Sequence, residues 1–149
     1  ANYQNEPSVK ARAGLSTIKH FEGCKLKAYR CPAGIWTIGW GRTKNVKEGD
    51  ACTQKQADAW LIEEYDAFET AVLRLLGKAK VSANQLGALV SFAYNIGSGA
   101  LAKSTLLKKH LAADYAGVAC EFPKWKFGGG QVLPGLIKRR AAEAALYLS

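Results

Sequence analysis

The chain has 149 residues and a formal net charge of +9; hydrophobic residues make up 48% of it and charged residues 22%. This length suits one compact domain with a real core, and the composition excludes an intrinsically disordered chain. Lys and Arg outnumber Asp and Glu by 21 to 12, which indicates an acidic partner such as nucleic acid, an anionic membrane or an anionic polysaccharide. Because no run of about 18 apolar residues is present, we expect a soluble chain.

The cysteines and histidines give no metal-binding pattern. The two histidines lie far apart in the sequence, and the four cysteines match neither a CxxC pair nor a zinc ribbon. The cysteines are Cys24, Cys31, Cys52 and Cys120. We therefore expect no metal and no cofactor, and the spacing leaves open which of three disulfide connectivities, if any, is formed.

The first predicted element is a helix over residues 9–21, in which apolar residues recur at roughly helical spacing until Gly23. Glu22 then lies at the carboxyl end of this helix. Over residues 25–43, aromatic and β-branched residues are interrupted by Pro and Gly. This pattern indicates a small β-hairpin region with a strand at 35–38.

The rest of the chain is predicted to be mostly helical. A capping box at residues 53–56 predicts a long helix over about 53–77, and a second box at 82–85 starts a helix that ends near Gly97. Three glycines at 128–130 predict a loop or tight hairpin. Further helices are predicted at about 104–112, 114–121 and 136–148.

Together these elements predict an α+β fold in one domain over residues 1–149. A small N-terminal αβ lobe of about residues 1–52 contains the hairpin. The helix of about 53–77 joins it to a mostly helical C-terminal lobe of about 78–149. A cleft between two such lobes would be a natural binding site.

Glu22 is the candidate general acid. Hydrolysis of a glycosidic bond needs a protonated carboxyl that donates to the leaving oxygen, and usually a second group that stabilises charge or activates water. Ile18 and Phe21 precede Glu22 and the aromatic hairpin follows it, so we expect apolar surroundings that favour the protonated carboxyl. On these residues alone, an exposed glutamate at a helix end is the simpler interpretation.

Several ordered motifs resemble a known family. They are FEG at 21–23, LKAY at 26–29, GIWTIGWGRT at 34–43, SFAYNIG at 91–97 and PGLIKRR at 134–140, followed by Glu143. They closely resemble the phage lysozymes, the glycoside hydrolase family 24 type, over nearly the whole chain beyond the first dozen residues. The resemblance implies a lysozyme-like fold and an endolysin muramidase, which hydrolyses the bond between N-acetylmuramic acid and N-acetylglucosamine in peptidoglycan and lyses the host cell.

The resemblance implies catalytic roles for Glu22, Cys31 and Thr37. Most members of the family carry Asp where this chain has Cys31, and some carry Cys with the same Cys-Pro-Ala-Gly run. A thiolate can supply a negative charge or accept a proton from water; an enzyme disabled by Cys31 is the alternative. Thr37 is implied to position the attacking water, with a simple role as a strand residue as its alternative.

The resemblance also implies a saccharide cleft lined by Trp40, Arg42, Tyr94 and Asn95. Aromatic faces suit sugar rings, Asn bonds N-acetyl and hydroxyl groups, and Arg can meet the peptide carboxylates of the wall. Each of these residues has a structural role as its alternative. The implied reaction is a single displacement with inversion, whereas direct attack by Cys31 would retain the configuration.

Cys24 and Cys31 are candidate partners in a regulatory disulfide that silences the enzyme on oxidation. The loop between them is short, so its closure costs little chain entropy. An extended segment, however, would hold them beyond the roughly 4.4–6.8 Å between Cα atoms that a disulfide needs, so the bond would require the hairpin to refold. Four free thiols are the alternative.

The expected partner is peptidoglycan, met by a monomer in the periplasm or cell wall of a bacterial host after transfer from the cytoplasm. Residues 138–140, Lys-Arg-Arg, are predicted to form a solvated face that binds anionic wall or outer-membrane phosphates. No nucleic acid is expected, because no helix-turn-helix, homeodomain, RRM or finger motif is present. The alternative function is a non-catalytic basic module that binds cell-wall polymer or nucleic acid. The chain begins with Ala1, which leaves open an upstream anchor or signal segment.

Overall fold

A computed structural model describes residues 11–149 of the chain. The start of the helix predicted at 9–21 therefore lies outside the described residues. Helix α1 spans Leu15–Glu22 and begins later than predicted, since Arg12 has a φ of 36°, outside the helical region. Glu22 is the last residue of α1, as the sequence predicts.

The predicted β-hairpin is present. Strands β1 (Lys25–Arg30) and β2 (Trp36–Gly39) pair in antiparallel fashion. The turn over residues 31–35 joins them, and in it the Cys31 amide donates to the Ile35 carbonyl at 3.0 Å. The turn therefore fixes the position of Cys31 at the end of β1.

Helix α2 spans Gln54–Leu76 and begins at the predicted capping box. The Thr53 side chain accepts a hydrogen bond from the Gln56 amide, and the Gln56 side chain accepts one from the Thr53 amide. Two amides without helical partners are thereby satisfied. The helix packs against β2 at one end and against the C-terminal helices along its length, so it connects the hairpin to the rest of the molecule.

The remaining helices form the C-terminal lobe. They are α3 (Ala83–Ile96), α4 (Ser98–Lys103), α5 (Thr105–Leu111), α6 (Tyr115–Glu121) and α7 (Pro134–Leu148), with a 3₁₀ turn at Phe122–Lys124. All except α4 were predicted, and the six residues of α4 are too few to show a helical period. The glycine run forms a tight hairpin of β3 (Phe127–Gly128) and β4 (Gln131–Val132), as predicted.

Helix α1 packs against α3 and α7 rather than against the hairpin that follows it. The contact is close because Gly14 meets Gly87, and a Cβ on Gly14 would lie 2.1 Å from the Gly87 carbonyl oxygen. The fully buried core residues Ile18, Leu89 and Phe92 belong to this packing. Glu22 consequently lies where the helical lobe meets the β-hairpin. Among residues 11–149, no helix is both long and apolar enough to cross a membrane.

Candidate active site

A cleft of about 780 Å³ lies between the β-hairpin and the C-terminal helices. Its lining contains most of the residues predicted for the site, namely Glu22, Cys31, Thr37, Tyr94 and Asn95. Trp125 and Phe127 add aromatic surface to the C-terminal wall. The sequence analysis did not single out these two aromatic residues, although they flank the glycine run that it assigned to a loop.

Glu22 is ion-paired in the cleft. Arg139 Nη1 donates to Glu22 Oε1 at 2.6 Å, and the Arg139 side chain is 3% exposed while that of Glu22 is 20% exposed. The sequence predicted apolar surroundings for this carboxyl, and the structure corrects that expectation. Because α7 packs against α1, it brings a guanidinium to the end of the first helix.

The second oxygen of Glu22 lies against Gly41. A Cβ at Gly41 would be 2.2 Å from Glu22 Oε2, and Gly41 has a φ of 86°. Both facts require glycine at this position, since a side chain would clash with the carboxyl and few L-residues adopt this backbone conformation. Arg139 therefore binds one oxygen of Glu22, and the other oxygen lies beside the backbone of Gly41, which has no side chain.

Arg139 belongs to a buried network with Arg140, Glu143 and Ser91. Arg139 Nε donates to Glu143 Oε2 at 3.3 Å, Ser91 Oγ donates to the same oxygen at 2.6 Å, and Arg140 Nε lies 2.7 Å from Glu143 Oε1. Arg140 and Glu143 are completely buried. The predicted solvated face at 138–140 is therefore wrong for both arginines, because pairing with carboxylates makes their burial tolerable.

Cys31 lies in a turn that favours its thiolate. Hydrogen bonding from the Ile35 backbone, from the Ala33 backbone and from the Thr37 hydroxyl lowers the pKa of Cys31, against the opposing effect of desolvation. The Thr37 hydroxyl, in a side chain that is almost fully buried, also donates to the Ile35 carbonyl at 2.9 Å. Since a hydroxyl has one proton, it serves either that carbonyl or the sulfur at any moment.

Tyr29 lies near both Glu22 and Cys31. Burial raises the pKa of the Tyr29 phenol, and the negative charges of Glu22 and Cys31 raise it further. The phenol is therefore neutral at physiological pH and can donate a hydrogen bond inside the cleft. All three residues line the same cavity.

Trp40 and Arg42, which the sequence predicts at the saccharide cleft, have other partners in the structure. Trp40 Nε1 donates to Asp58 Oδ1 at 2.8 Å, and this bond lowers the pKa of Asp58. Arg42 pairs with Glu64 at 3.2 Å and its guanidinium lies 4.7 Å from the centre of the Trp60 ring. Arg42 lines an adjoining pocket of about 370 Å³ that shares part of its wall with the cleft. Their role in substrate binding stays a prediction.

The end of α3 contributes Tyr94 and Asn95. The Tyr94 hydroxyl lies 2.7 Å from the Trp40 carbonyl oxygen and 3.1 Å from Glu64 Oε2, and burial raises the pKa of this phenol. Asn95 Oδ1 accepts from Arg140 Nη2 at 2.8 Å, while the residue itself is exposed in the cleft. Arg140 also lines the cleft, and its only sequence signal was its place in the motif at 134–140.

The four cysteines are free thiols. Cys24 and Cys31 flank β1, and seven residues at the usual strand rise separate them by up to about 23 Å. That distance is several times what a disulfide permits, so this structure does not bring them together. Gln54 Nε2 donates to Cys24 Sγ at 3.6 Å. Within residues 11–149, no three His, Cys, Asp or Glu side chains form a metal-ligand set.

The α+β fold, the cleft between hairpin and helices, and the glutamate at the end of the first helix define a lysozyme-like protein. The sequence profile of the family described as phage lysozyme matches residues 19–143. The chain belongs to the phage lysozyme family.

Individual relatives agree with this assignment. The chain is 49% identical over 140 residues to an endolysin of Acyrthosiphon pisum secondary endosymbiont phage 1, covering 91% of this chain and 95% of that protein. Some other endolysin relatives are longer, and the chain spans little more than half of them. The solved endolysin from Escherichia coli O157:H7 phage FAHEc1 superposes with a TM-score of 0.84 at 38% identity, covering 97% of this chain and 96% of that one.

Two solved forms of one relative differ in their similarity to this chain. The active form of P1 phage endolysin Lyz has a TM-score of 0.81 at 28% identity, covering 91% of this chain and 83% of that one. The secreted inactive form has a TM-score of 0.63 at 27% identity, covering 93% and 95%. The structure of this chain is therefore more similar to the active form.

Proposed function

We propose that the chain is an endolysin muramidase that hydrolyses the bond between N-acetylmuramic acid and N-acetylglucosamine in bacterial peptidoglycan, with Glu22 as its general acid. Membership of the phage lysozyme family makes it a lysozyme-type glycoside hydrolase. The position of Glu22 in the cleft, held at one oxygen by Arg139, is the observation that supports the residue assignment. Neither the fold nor the relatives support the alternative of a non-catalytic basic module.

Glu22 supplies the proton that the leaving group needs. Arg139 binds Oε1, so Oε2 is the oxygen that carries the proton to the glycosidic oxygen. As the glycosidic bond breaks, its electron pair stays with that oxygen, which takes the proton. Glu22 becomes a carboxylate, and the Arg139 guanidinium stabilises the charge that develops on it.

Cys31 and Thr37 handle the attacking water. The Cys31 thiolate, favoured by the hydrogen bonds of its turn, accepts a proton from the water, and Thr37 orients that water. The water oxygen forms the new bond to the anomeric carbon of the muramic acid, from the face opposite the leaving group, so the product has inverted configuration. Cys31 then releases its proton to solvent and Glu22 regains one.

The walls of the cleft bind the sugar chain. Trp125 and Phe127 offer aromatic faces for sugar rings, and Tyr94 and Asn95 continue the surface at the end of α3. In the adjoining pocket, a peptide carboxylate of the wall would meet Arg42, in competition with its ion pair to Glu64.

The net charge of +9 supports attraction to the anionic wall and to outer-membrane phosphates. Endolysin relatives act on the cell wall, and we expect this chain to act there or in the periplasm, as a monomer and without nucleic acid. A filter-binding measurement with DNA, beside lysis of outer-membrane-stripped cells, tests this expectation.

The bond that is cleaved can be identified from the products. We expect purified peptidoglycan digested with the enzyme and then reduced with borohydride to yield muramitol, because muramic acid becomes the new reducing end. Release of glucosaminitol would place the cut at the other glycosidic bond. New amino groups without new reducing ends would show that amide bonds are cut instead of glycosidic bonds, and this result would contradict a glycosidase.

A disulfide between Cys24 and Cys31 is proposed as an inactive state. An oxidant of the disulfide class would exchange with the two thiols, taking up two electrons and two protons as the bond forms. The bond would consume the Cys31 thiol and dismantle β1, which now separates the two residues. Peptide mass mapping of oxidised protein, with lysis measured before and after reduction and with a Cys24→Ser control, tests this state. Full activity in a bridged species would exclude it.

A further inference from the structure

Glu64, on α2, lies outside the catalytic set but is bonded to the loop that contacts the general acid. It lines the pocket that adjoins the cleft and not the cleft itself. We infer that Glu64 is a positioning residue: it holds Gly41 in place, and Gly41 in turn holds the carboxyl of Glu22. The inference rests on the proposed function, and it adds a residue that acts on the acid through the loop without contacting the bond that is cleaved.

The carboxyl group of Glu64 is bonded to the chain on both sides of Gly41. Its Oε1 accepts a hydrogen bond from Arg42 Nη1 at 3.2 Å, so one oxygen holds the residue after Gly41. Its Oε2 lies 3.1 Å from the Tyr94 hydroxyl. That hydroxyl lies 2.7 Å from the carbonyl oxygen of Trp40, the residue before Gly41. One carboxyl group therefore holds Gly41 from one side directly and from the other side through Tyr94.

The turn that contains Gly41 depends on these side chains at its tip. Two backbone hydrogen bonds of 2.9 Å between Ile38 and Arg42 close the turn at its base. The Trp40 carbonyl, at the tip, is bonded by the Tyr94 side chain instead. The position of the peptide group between Trp40 and Gly41 therefore depends on where the Tyr94 hydroxyl is held.

The partners of Glu64 are themselves packed in place. The side chains of Arg42 and Glu64 are 19% and 22% exposed, and the guanidinium lies 4.7 Å from the centre of the Trp60 ring. The Tyr94 ring lies 5.5 Å from the Phe68 ring, and burial raises the pKa of the Tyr94 phenol, which keeps its proton. Because a partly buried ion pair is screened less by salt than an exposed one, Glu64 has a defined position from which to act on the loop.

Gly41 transmits this position to the general acid. Arg139 binds Oε1 of Glu22, whereas Oε2 lies against Gly41, where an added Cβ would be 2.2 Å from that oxygen. Oε2 is the oxygen that carries the proton in the proposed mechanism. If the turn moved away, Oε2 would lose the contact that fixes it, and a misplacement of about 1 Å at a reacting group can cost as much as a hundredfold in rate.

The decisive comparison is Glu64→Gln against Glu64→Asp, because it separates reach from charge. The Gln oxygen can accept from Arg42 while its NH₂ group donates to the Tyr94 hydroxyl, which leaves the hydroxyl proton for the Trp40 carbonyl. Asp keeps the charge but is one methylene shorter, so it cannot bond both partners at once. We expect Glu64→Gln to keep kcat within about twofold of the parent and Glu64→Asp to lower it about tenfold.

The measurement is the release of reducing ends from soluble, uncross-linked wall glycan that carries stem peptides, which gives kcat and KM separately. We expect KM to stay at the parent value in both variants, since Glu64 does not line the cleft. A role in charge or ion pairing alone predicts the opposite order, so a kcat for Glu64→Asp equal to or above that of Glu64→Gln would overturn the inference. An effect confined to KM would place Glu64 in substrate binding and would also overturn it.

Glu63 supplies the matched control. It is the neighbouring residue on α2, is exposed, and lines the same adjoining pocket. Glu63→Asp makes the same chemical change one position away and should leave kcat and KM unchanged. Equal losses of kcat in the Glu63 and Glu64 variants would show that the effect is not specific to the bonds of Glu64, and this result would overturn the inference.

Tyr94→Phe tests the connection between Glu64 and the turn, and it decides alone if Glu64→Asp does not fold. Phe keeps the ring and removes the hydroxyl, so kcat should fall about tenfold while KM stays unchanged. Because Glu64→Asp and Tyr94→Phe break the same connection, the double variant should lose less than the product of the two single losses. An unchanged kcat in Tyr94→Phe, or a full product in the double variant, would overturn the route through Tyr94.

Failure of this inference can be distinguished from failure of the proposed function. Absence of muramitol from digests by the parent enzyme would contradict the muramidase function itself. Normal muramitol release by the parent, together with the parent kcat in folded Glu64→Asp, would contradict only the positioning role of Glu64.

Discussion

At the scale of single residues, the site depends on contacts that sequence order does not reveal. The position of Glu22 at a helix end could be predicted from the apolar period before it and the glycine after it. Its ion pair with Arg139 could not, because the two residues are 117 positions apart and no local pattern encodes the packing of α1 on α7. The same packing explains why the basic run at 138–140 was misassigned to the surface.

The contact between Gly41 and Glu22 gives a prediction that distinguishes two effects of substituting a glycine: strain in the backbone and displacement of the Glu22 carboxyl. We expect Gly41→Ala to lower the lytic rate at least about a hundredfold, because its Cβ would displace the Glu22 carboxyl. Gly49→Ala is the matched control, since Gly49 has a φ of 85° and no heavy atom within 4 Å of an added Cβ. Turbidity loss measured on stripped cells should leave the Gly49 variant near the parent. Equal lysis by both variants would show that the Gly41 contact is unimportant.

Cys31 leads to a prediction about pH. Activity that needs its thiolate is lost as pH falls through the pKa of Cys31, which the turn lowers. We expect Cys31→Asp to keep substantial activity and to move this acid limb to lower pH, because a carboxyl has a reference pKa of about 3.9 against about 8.5 for Cys.

Cys31→Ala should reduce lysis by about a hundredfold or more, the usual contribution of a base. The exposed Cys120 supplies the control: Cys120→Ala should match the parent across the pH range. A Cys31→Ala variant as fast as the parent would leave Thr37 to position water unaided.

At the scale of elements, the local signals that predicted the helices are capping boxes and apolar periods. The start of α2 at Thr53 and the start of α3 at Ser82 follow from side chains that satisfy the first helix amides. The hairpin at the glycine run follows from backbone freedom at Gly129 and Gly130, both of which have positive φ. Helix α4 has no side-chain cap and is too short to show an apolar period, so only the structure reveals it.

The capping box of α2 gives a stability prediction. Thr53→Ala should lower the free energy of unfolding by about 1 kcal/mol, since it removes the acceptor for the Gln56 amide. Thr70 lies within the same helix, is exposed and donates only to the Asp66 carbonyl, so Thr70→Ala should change stability by less than about 0.5 kcal/mol. Urea unfolding followed by circular dichroism measures both. Equal losses of unfolding free energy in Thr53→Ala and Thr70→Ala would show that the cap contributes no more than an ordinary position on the helix surface.

At the scale of the whole molecule, a buried histidine in α5, His110, links α7 to the segment that precedes α3. His110 bonds the Tyr147 hydroxyl at 2.5 Å and the Lys80 carbonyl at 2.9 Å, and burial lowers the pKa of His110. The unfolded chain therefore binds a proton at higher pH than the folded one. This stabilisation is complete above the unfolded pKa of about 6.5 and is lost as pH falls through the lowered folded value.

We expect the melting temperature to fall between pH 7 and pH 5, and the His110→Asn variant to show a shallower fall from a lower starting value. Thermal unfolding at closely spaced pH values measures this dependence. An equal pH dependence in parent and variant would assign it to other groups.

The two-lobed arrangement could be predicted from the order of elements and from the motifs that resemble phage lysozymes. The membership of α1 in the helical packing could not, because chain order places it beside the hairpin. That packing brings Glu22 to the cleft, where Arg139 donates a hydrogen bond to it and Cys31 lines the same cavity. In the proposed mechanism, α1 supplies the acid and the last helix, α7, supplies the guanidinium that stabilises its charge.

The rate of wall lysis by Glu22→Gln tests the central claim most directly. Gln retains an oxygen for Arg139 but has no proton to give, so we expect a folded protein that still binds peptidoglycan and lyses at least about a hundredfold more slowly than the parent. The exposed Glu48 provides the control, and Glu48→Gln should lyse at the parent rate. Lysis by folded Glu22→Gln at a rate near that of the parent would contradict the assignment of Glu22 as the general acid.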